Sequence, residues 1–111
     1  MRYLKSLWRI SKENNVDLKE KIKIKLKEVI DPELRENVWD LKLVKDLKVN
    51  EVKRSVSLKF RPTAYQCPLG IQLAMNIKKK LMKIEELDKI DMKVIDYVMA
   101  DKANKYLKEM D

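Results

Sequence analysis

The sequence of 111 residues contains no histidine, one cysteine and one glycine. Without histidine there can be no Ser-His-Asp triad, no Cys-His pair and no histidine-based zinc site. One cysteine excludes an internal disulfide and a four-cysteine metal site within one chain, and a free thiol is typical of the reducing cytosol. One glycine excludes the glycine-rich loops that bind phosphate groups. These absences leave Cys67 as the one candidate for distinctive chemistry.

Long hydrophobic runs are also missing. The N-terminus has neither a continuous apolar stretch nor a small-residue cleavage site, so we expect no signal peptide, no membrane span and a cytoplasmic location. The net charge of +8 suggests acidic partners, but the 18 acidic residues are interspersed among 26 basic ones. This mixture is typical of a solvated lysine-rich surface. Because arginines and aromatics are few, nucleic-acid binding is not favoured.

The chain divides into an N-terminal basic extension, residues 1–16, and one domain, residues 17–111. Tyr3, Leu4, Leu7 and Trp8 have helical spacing in the extension. We predict a helix docked on its own domain. The alternative is an amphipathic helix on an anionic membrane or partner.

Secondary structure in the domain follows from local patterns. Asp17 and Glu20 form a capping pair that opens a helix, which we expect to end at Asp31-Pro32. Two strands, a helix, a strand and a helix follow: Leu43 to Val49, Ser55 to Phe60, a helix starting at Pro68, Lys89 to Tyr97, and Asp101 to Glu109. The order α-β-β-α-β-α predicts an α+β fold, a small three-stranded sheet with helices packed on one side.

Cys67 ends an irregular loop and precedes Pro68, which suits the first position of a helix. The unpaired N–H groups and dipole of such a helix favour a thiolate, and Arg61 on the same loop adds positive charge. A thiolate attacks electrophiles and binds soft metals. The alternative interpretation is that Cys67 is a small buried hydrophobic residue.

Three motifs share the order and spacing of a known family. Asp31-Pro-Glu-Leu34, Asn37-Val-Trp-Asp-Leu-Lys-Leu-Val44 and Thr63-Ala-Tyr-Gln-Cys-Pro-Leu69 resemble the iron–sulfur assembly domain shared by SufT, PaaD-like proteins and the eukaryotic cytosolic iron–sulfur targeting subunits. The resemblance covers roughly Leu18 to Tyr97. It implies an α+β domain that helps to deliver or insert iron–sulfur clusters, with Cys67 as the functional thiol.

The resemblance also assigns signature positions: Asp31, Pro32, Glu33, Asp40, Leu41, Thr63, Cys67 and Pro68. Three departures stand beside them. The family usually has glycine where this chain has Lys42, a proline near Tyr65, and a tryptophan- and proline-rich stretch where this chain reads Asp96 to Asp101.

The signature residues also have structural interpretations. Pro32 suits a helix stop. Glu33 and Asp40 could act as acid, base or metal ligands, but carboxylates beside a turn more often cap backbone N–H groups. Thr63 could hydrogen-bond a thiolate or the loop backbone.

Iron–sulfur clusters need about four thiolate-type ligands, and one chain supplies one. We therefore predict a carrier or targeting factor that holds a transient iron–sulfur cluster or iron together with carrier or client proteins, or as a homodimer. The alternative is a protein-binding adaptor in which Cys67 only packs. A thiol enzyme is disfavoured because a base and a resolving cysteine are lacking.

Overall fold

The computed structural model describes residues 17–110, which form three helices and five strands around one apolar core. The helices are α1 (Leu18–Leu26), α2 (Gly70–Met82) and α3 (Ala100–Glu109); the strands are β1 (Ile30–Asp31), β2 (Glu36–Asn37), β3 (Val44–Asn50), β4 (Ser55–Phe60) and β5 (Lys89–Val94). The predicted α+β class is confirmed. The helix predicted within residues 1–16 lies outside the described residues. No helix in residues 17–110 is long and apolar enough to cross a bilayer.

Helix α1 begins as predicted but ends earlier. The Asp17 carboxylate accepts the Glu20 N–H at 2.9 Å, which confirms the N-cap. The helix ends at Leu26 and not at Asp31-Pro32, because Ile30–Asp31 is taken up as β1, which pairs antiparallel with β2. The sequence did not predict this two-stranded hairpin. The turn between its strands, residues 31–35, becomes one wall of the candidate site.

The three-stranded sheet has the order β3-β4-β5, with β3 antiparallel and β5 parallel to β4. Helix α2 supplies the crossover connection that a parallel pair requires. The alternation in β4 buries Val56, Leu58 and Phe60, as predicted. Strand β5 ends at Val94 and not at Tyr97, because the chain turns at Asp96, whose φ is 49°.

Lys42 adopts a left-handed backbone conformation, with φ of 60°. Its N–H donates to the Trp39 carbonyl at 3.0 Å, which closes the turn between β2 and β3. A side chain at this φ crowds the backbone, and glycine does not. The turn therefore gives a physical reason for the glycine that the resembling family usually carries here.

Candidate functional site

Cys67 lies in the loop of residues 61–69 between β4 and α2, called here the cysteine loop. Its N–H donates to the Ala64 carbonyl at 3.1 Å, and its own carbonyl accepts the Gly70 N–H at 3.3 Å. The cysteine is only 3% exposed, although the residues from Thr63 to Gln66 and Pro68 are exposed. The loop thus turns its one thiol inward.

The start of helix α2 differs from the prediction. The helix begins at Gly70 and its N-cap residue is Leu69, with φ of −103° and ψ of 8°. Pro68 is therefore not the first helical residue, and Cys67 lies two residues before the N-cap. The reason is that the Cys67 carbonyl closes a separate turn with Gly70 before the helix begins.

Asp31 connects the first and third sequence motifs. Its carboxylate, only 1% exposed, accepts the Glu33 N–H through Oδ1 at 2.9 Å and the Thr63 hydroxyl through Oδ2 at 2.9 Å. The Asp31 carbonyl also accepts the Arg35 N–H at 2.7 Å. Asp31 thus holds the 31–35 turn in shape and fastens it to the cysteine loop. Thr63 bonds this carboxylate, a partner that neither sequence interpretation named.

A cavity of about 160 Å³ separates the 31–35 turn from the cysteine loop. The residues that line it are Glu33, Leu34, Thr63, Ala64, Gln66, Cys67 and Pro68. Drug-sized ligands occupy cavities of roughly 300–1,000 Å³. This cavity is small, so it suits an ion, a few waters or the tip of a partner side chain.

The structure brings together four of the predicted residues, Glu33, Thr63, Cys67 and Pro68, at the cavity. Asp31 is not a lining residue, but its carboxylate accepts the hydrogen bond of the Thr63 hydroxyl and so holds Thr63 in place. Pro32 is exposed in the adjacent turn and is not a lining residue.

Asp40 and Arg61 have other partners. The Asp40 carboxylate accepts the Asn37 side-chain amide at 2.9 Å in an exposed turn. Arg61 is exposed, and its Nε lies 3.8 Å from the Asp96 carboxylate. Neither residue lines the cavity. The guanidinium of Arg61 therefore lies beside the Asp96 carboxylate, and the stabilisation of a thiolate by its charge stays a prediction.

Tyr97 and Gly70 contact the cysteine loop, and the sequence interpretation missed both. The Tyr97 hydroxyl donates to the Cys67 carbonyl at 2.6 Å. A Cβ on Gly70 would lie 2.5 Å from Cζ of the Tyr97 ring, so the ring packs directly on the helix start. The sequence does carry a signal of a close contact here, since the only glycine of the chain stands three residues after its only cysteine.

Exposed apolar side chains stand beside the cavity. Leu34, which lines it, is 48% exposed, and Tyr65 in the cysteine loop is 61% exposed. Val98 is 49% exposed, and its N–H donates to the Tyr65 carbonyl at 2.8 Å. These three residues are called here the apolar rim. Exposed apolar side chains gathered beside a polar site are typical of a surface that binds another protein.

Metal-ligating side chains are sparse. Within residues 17–110 no group of three or more cysteine, aspartate or glutamate side chains is placed to hold a metal ion. Any metal that Cys67 binds would therefore need ligands besides those of the described part of the chain.

Comparison with known proteins gives consistent matches. The model of a family described as iron–sulfur cluster assembly protein matches residues 19–94. An uncharacterized protein of Methanocaldococcus jannaschii is 30% identical over 91 residues, which are 82% of this chain and 95% of that protein.

Solved structures also match this chain. The crystal structure of a domain of unknown function, DUF59, from Bacillus anthracis is 27% identical with a TM-score of 0.61, and the match covers 79% of this chain and 89% of that one. A Mycobacterium tuberculosis protein described as associated with Fe–S complex assembly and repair is 22% identical with a TM-score of 0.49, over 81% of this chain and 82% of that one.

Proposed function

Because this chain belongs to the iron–sulfur cluster assembly protein family, as its motifs predicted, we propose that it is an accessory factor in cluster assembly. In this proposal the Cys67 thiolate transiently holds an iron–sulfur cluster or iron as cargo. The protein binds and delivers rather than catalyses. It works in the cytoplasm, where a lone thiol stays reduced.

The number of available ligands supports a carrier or targeting role. Iron–sulfur clusters are held by about four thiolate-type ligands. The chain has one cysteine, and residues 17–110 contain no cluster of metal-ligating side chains. Cargo on Cys67 must therefore be shared with a partner's cysteines, a second copy of this chain or a small thiol. Shared ligation makes the cargo easy to pass on, which suits delivery to a client.

The observation that carries the proposal is the position of the only thiol, in a small cavity where two separate family motifs meet. Among residues 17–110, Glu33 is the one carboxylate lining that cavity, and it would add an oxygen ligand for iron. The apolar rim beside the cavity offers a docking surface for a carrier or client protein. Chemistry and docking would then share one face of the domain.

A second candidate is a protein-binding adaptor without cluster chemistry. The observation that favours it is the burial of Cys67, which is 3% exposed and belongs to the apolar core. Most buried free cysteines serve as small hydrophobic residues. In that case the apolar rim would act alone.

Anaerobic reconstitution with ferrous iron and sulfide distinguishes the two candidates. We expect wild-type protein to develop visible charge-transfer absorption and Cys67→Ser to develop none. Asp46→Asn is the matched control, because it removes an exposed carboxylate on β3 that does not line the cavity and keeps the thiol, and it should retain the wild-type absorption. Circular dichroism of each variant checks that the fold is intact.

Binding to iron–sulfur carrier proteins is measured alongside. If wild type and Cys67→Ser bind carriers equally and neither shows charge-transfer absorption, the ligand role is refuted and the adaptor remains. Loss of absorption in Cys67→Ser alone supports the proposal.

A further inference from the structure

We propose that Tyr97 is a positioning residue that keeps the cysteine loop closed over its thiol, and that release of Tyr97 exposes Cys67. The residues that follow β5, 95–98, are called here the strap. This inference rests on the proposed function only in one respect, the identity of the cargo that the exposed thiol binds.

The strap is fastened to the cysteine loop along its length. The Ile95 N–H donates to the Phe60 carbonyl at 3.0 Å, just before the loop begins. The Val98 N–H donates to the Tyr65 carbonyl at 2.8 Å, near the middle of the loop. Between them the Tyr97 hydroxyl reaches the Cys67 carbonyl at 2.6 Å. Of these three bonds, only the last involves a side chain and the cysteine itself.

The strap starts from a fixed point. The Asn104 side chain accepts the Val94 N–H at 2.7 Å and donates to the Val94 carbonyl at 3.2 Å, which joins α3 to the end of β5. The left-handed turn at Asp96, with φ of 49°, then directs the chain back toward the loop. Strand β5 precedes the strap and helix α3 follows it, so the position of Tyr97 is fixed from both sides.

Gly70 makes this approach achievable. A Cβ at this position would lie 2.5 Å from Cζ, 2.8 Å from Cε1 and 2.8 Å from the hydroxyl oxygen of Tyr97, which is closer than real side chains come. Tyr97 is itself only 5% exposed, so the ring has little room to move aside. Because Gly70 has no side chain, the Tyr97 ring packs directly on the start of α2 and its hydroxyl reaches the cysteine loop.

The closed loop has a consequence for cargo exchange. A thiol that is 3% exposed cannot share iron with a partner's cysteines unless the loop moves. Loss of the phenol hydrogen bond removes the bond that ties the Cys67 carbonyl to the strap, without disturbing the core strands. Local opening of this kind needs far less free energy than global unfolding.

Alkylation of Cys67 by iodoacetamide in the metal-free protein tests the inference. Tyr97→Phe keeps the ring against Gly70 and removes only the hydroxyl. We expect it to speed alkylation about tenfold without denaturant, the effect of losing one buried hydrogen bond. Tyr106→Phe, which removes a hydroxyl on α3 instead of the strap, should react at the wild-type rate.

A stability control separates loop opening from general weakening. Ile77→Val removes one methylene group from the buried face of α2 and destabilises the fold by a comparable amount. Because Ile77→Val leaves the Tyr97 hydrogen bond in place, its alkylation without denaturant should stay near the wild-type rate and should rise steeply only in urea, through global unfolding. The Tyr97→Phe rate should depend only weakly on urea, because local opening exposes little surface. An alkylation rate without denaturant that is as high in Ile77→Val as in Tyr97→Phe, or a wild-type rate in Tyr97→Phe, overturns the inference.

Gly70→Ala gives a second, independent perturbation, since the added methyl group must displace the ring. It should also speed alkylation with a weak urea dependence, and a wild-type rate would contradict the proposal. These measurements use no iron, so they succeed or fail independently of the reconstitution experiment.

Discussion

The hydrogen bond from Thr63 to Asp31 joins residues 32 positions apart and fastens the 31–35 turn to the cysteine loop. The Asp31 carboxylate is 1% exposed and accepts a second bond, from the Glu33 N–H. Asp31→Ala removes both bonds, and at about 1–2 kcal/mol each we expect a loss of about 2–4 kcal/mol in the free energy of unfolding. Thr63→Val keeps the side-chain shape and removes only the hydroxyl, which should cost about 1–1.5 kcal/mol.

A double-mutant cycle measures the coupling between the two residues. Urea unfolding is followed by circular dichroism for wild type, Asp31→Ala, Thr63→Val and the double variant. We expect an interaction energy of about 1–1.5 kcal/mol, because either single change removes the shared bond. Asp40→Ala is the control, an exposed carboxylate whose loss should cost less than about 1 kcal/mol. Additive effects, or an Asp31→Ala loss no larger than that of Asp40→Ala, would refute the reasoning.

Two further predictions concern residues away from the cavity. Lys42→Gly should raise the free energy of unfolding by about 0.5–1 kcal/mol, because it relieves a left-handed backbone at φ of 60°; an unchanged or lower urea midpoint would contradict this. Asp88 accepts a hydrogen bond from Arg54, which lowers the pKa of its carboxyl, so its contribution to stability is present above the unfolded-state pKa of about 3.9 and disappears as the pH falls through the lower folded-state pKa. Asp88→Asn should therefore be less stable than wild type at pH 7 and equally stable in strong acid, and a difference in urea midpoint that persists in strong acid would disprove this assignment.

Local sequence patterns predicted most of the elements. The Asp17 cap, the alternation in β4 and the last two helices were all found close to their predicted positions. Such signals depend on neighbouring residues, since a cap or an apolar period is set within one or two turns of chain. The boundaries that failed are those at turns that the apolar periodicity does not reveal, such as the turn at Asp96 and the turn from Cys67 to Gly70. Strand β1 shortened the expected first helix because it pairs with β2.

The candidate site shows the same division. The motifs pointed to Cys67, Glu33, Thr63 and Pro68, and the structure places these four around one cavity. Arg61 lies on the same loop in sequence, but its side chain contacts Asp96 on the surface and does not line the cavity.

The sequence by itself determined that Cys67 is the only thiol, that the domain is α+β and that the chain carries the motifs of iron–sulfur assembly proteins. Only the tertiary structure decided how that thiol is held. Its loop is fastened by Asp31 and by Tyr97, 36 and 30 positions away in sequence. A hydrogen bond or a ring contact over such separations leaves no local pattern, because it exists only once the core has brought the segments together. The single glycine, Gly70, is the one sign of that packing in the sequence, because the Tyr97 ring occupies the space that a side chain at this position would need.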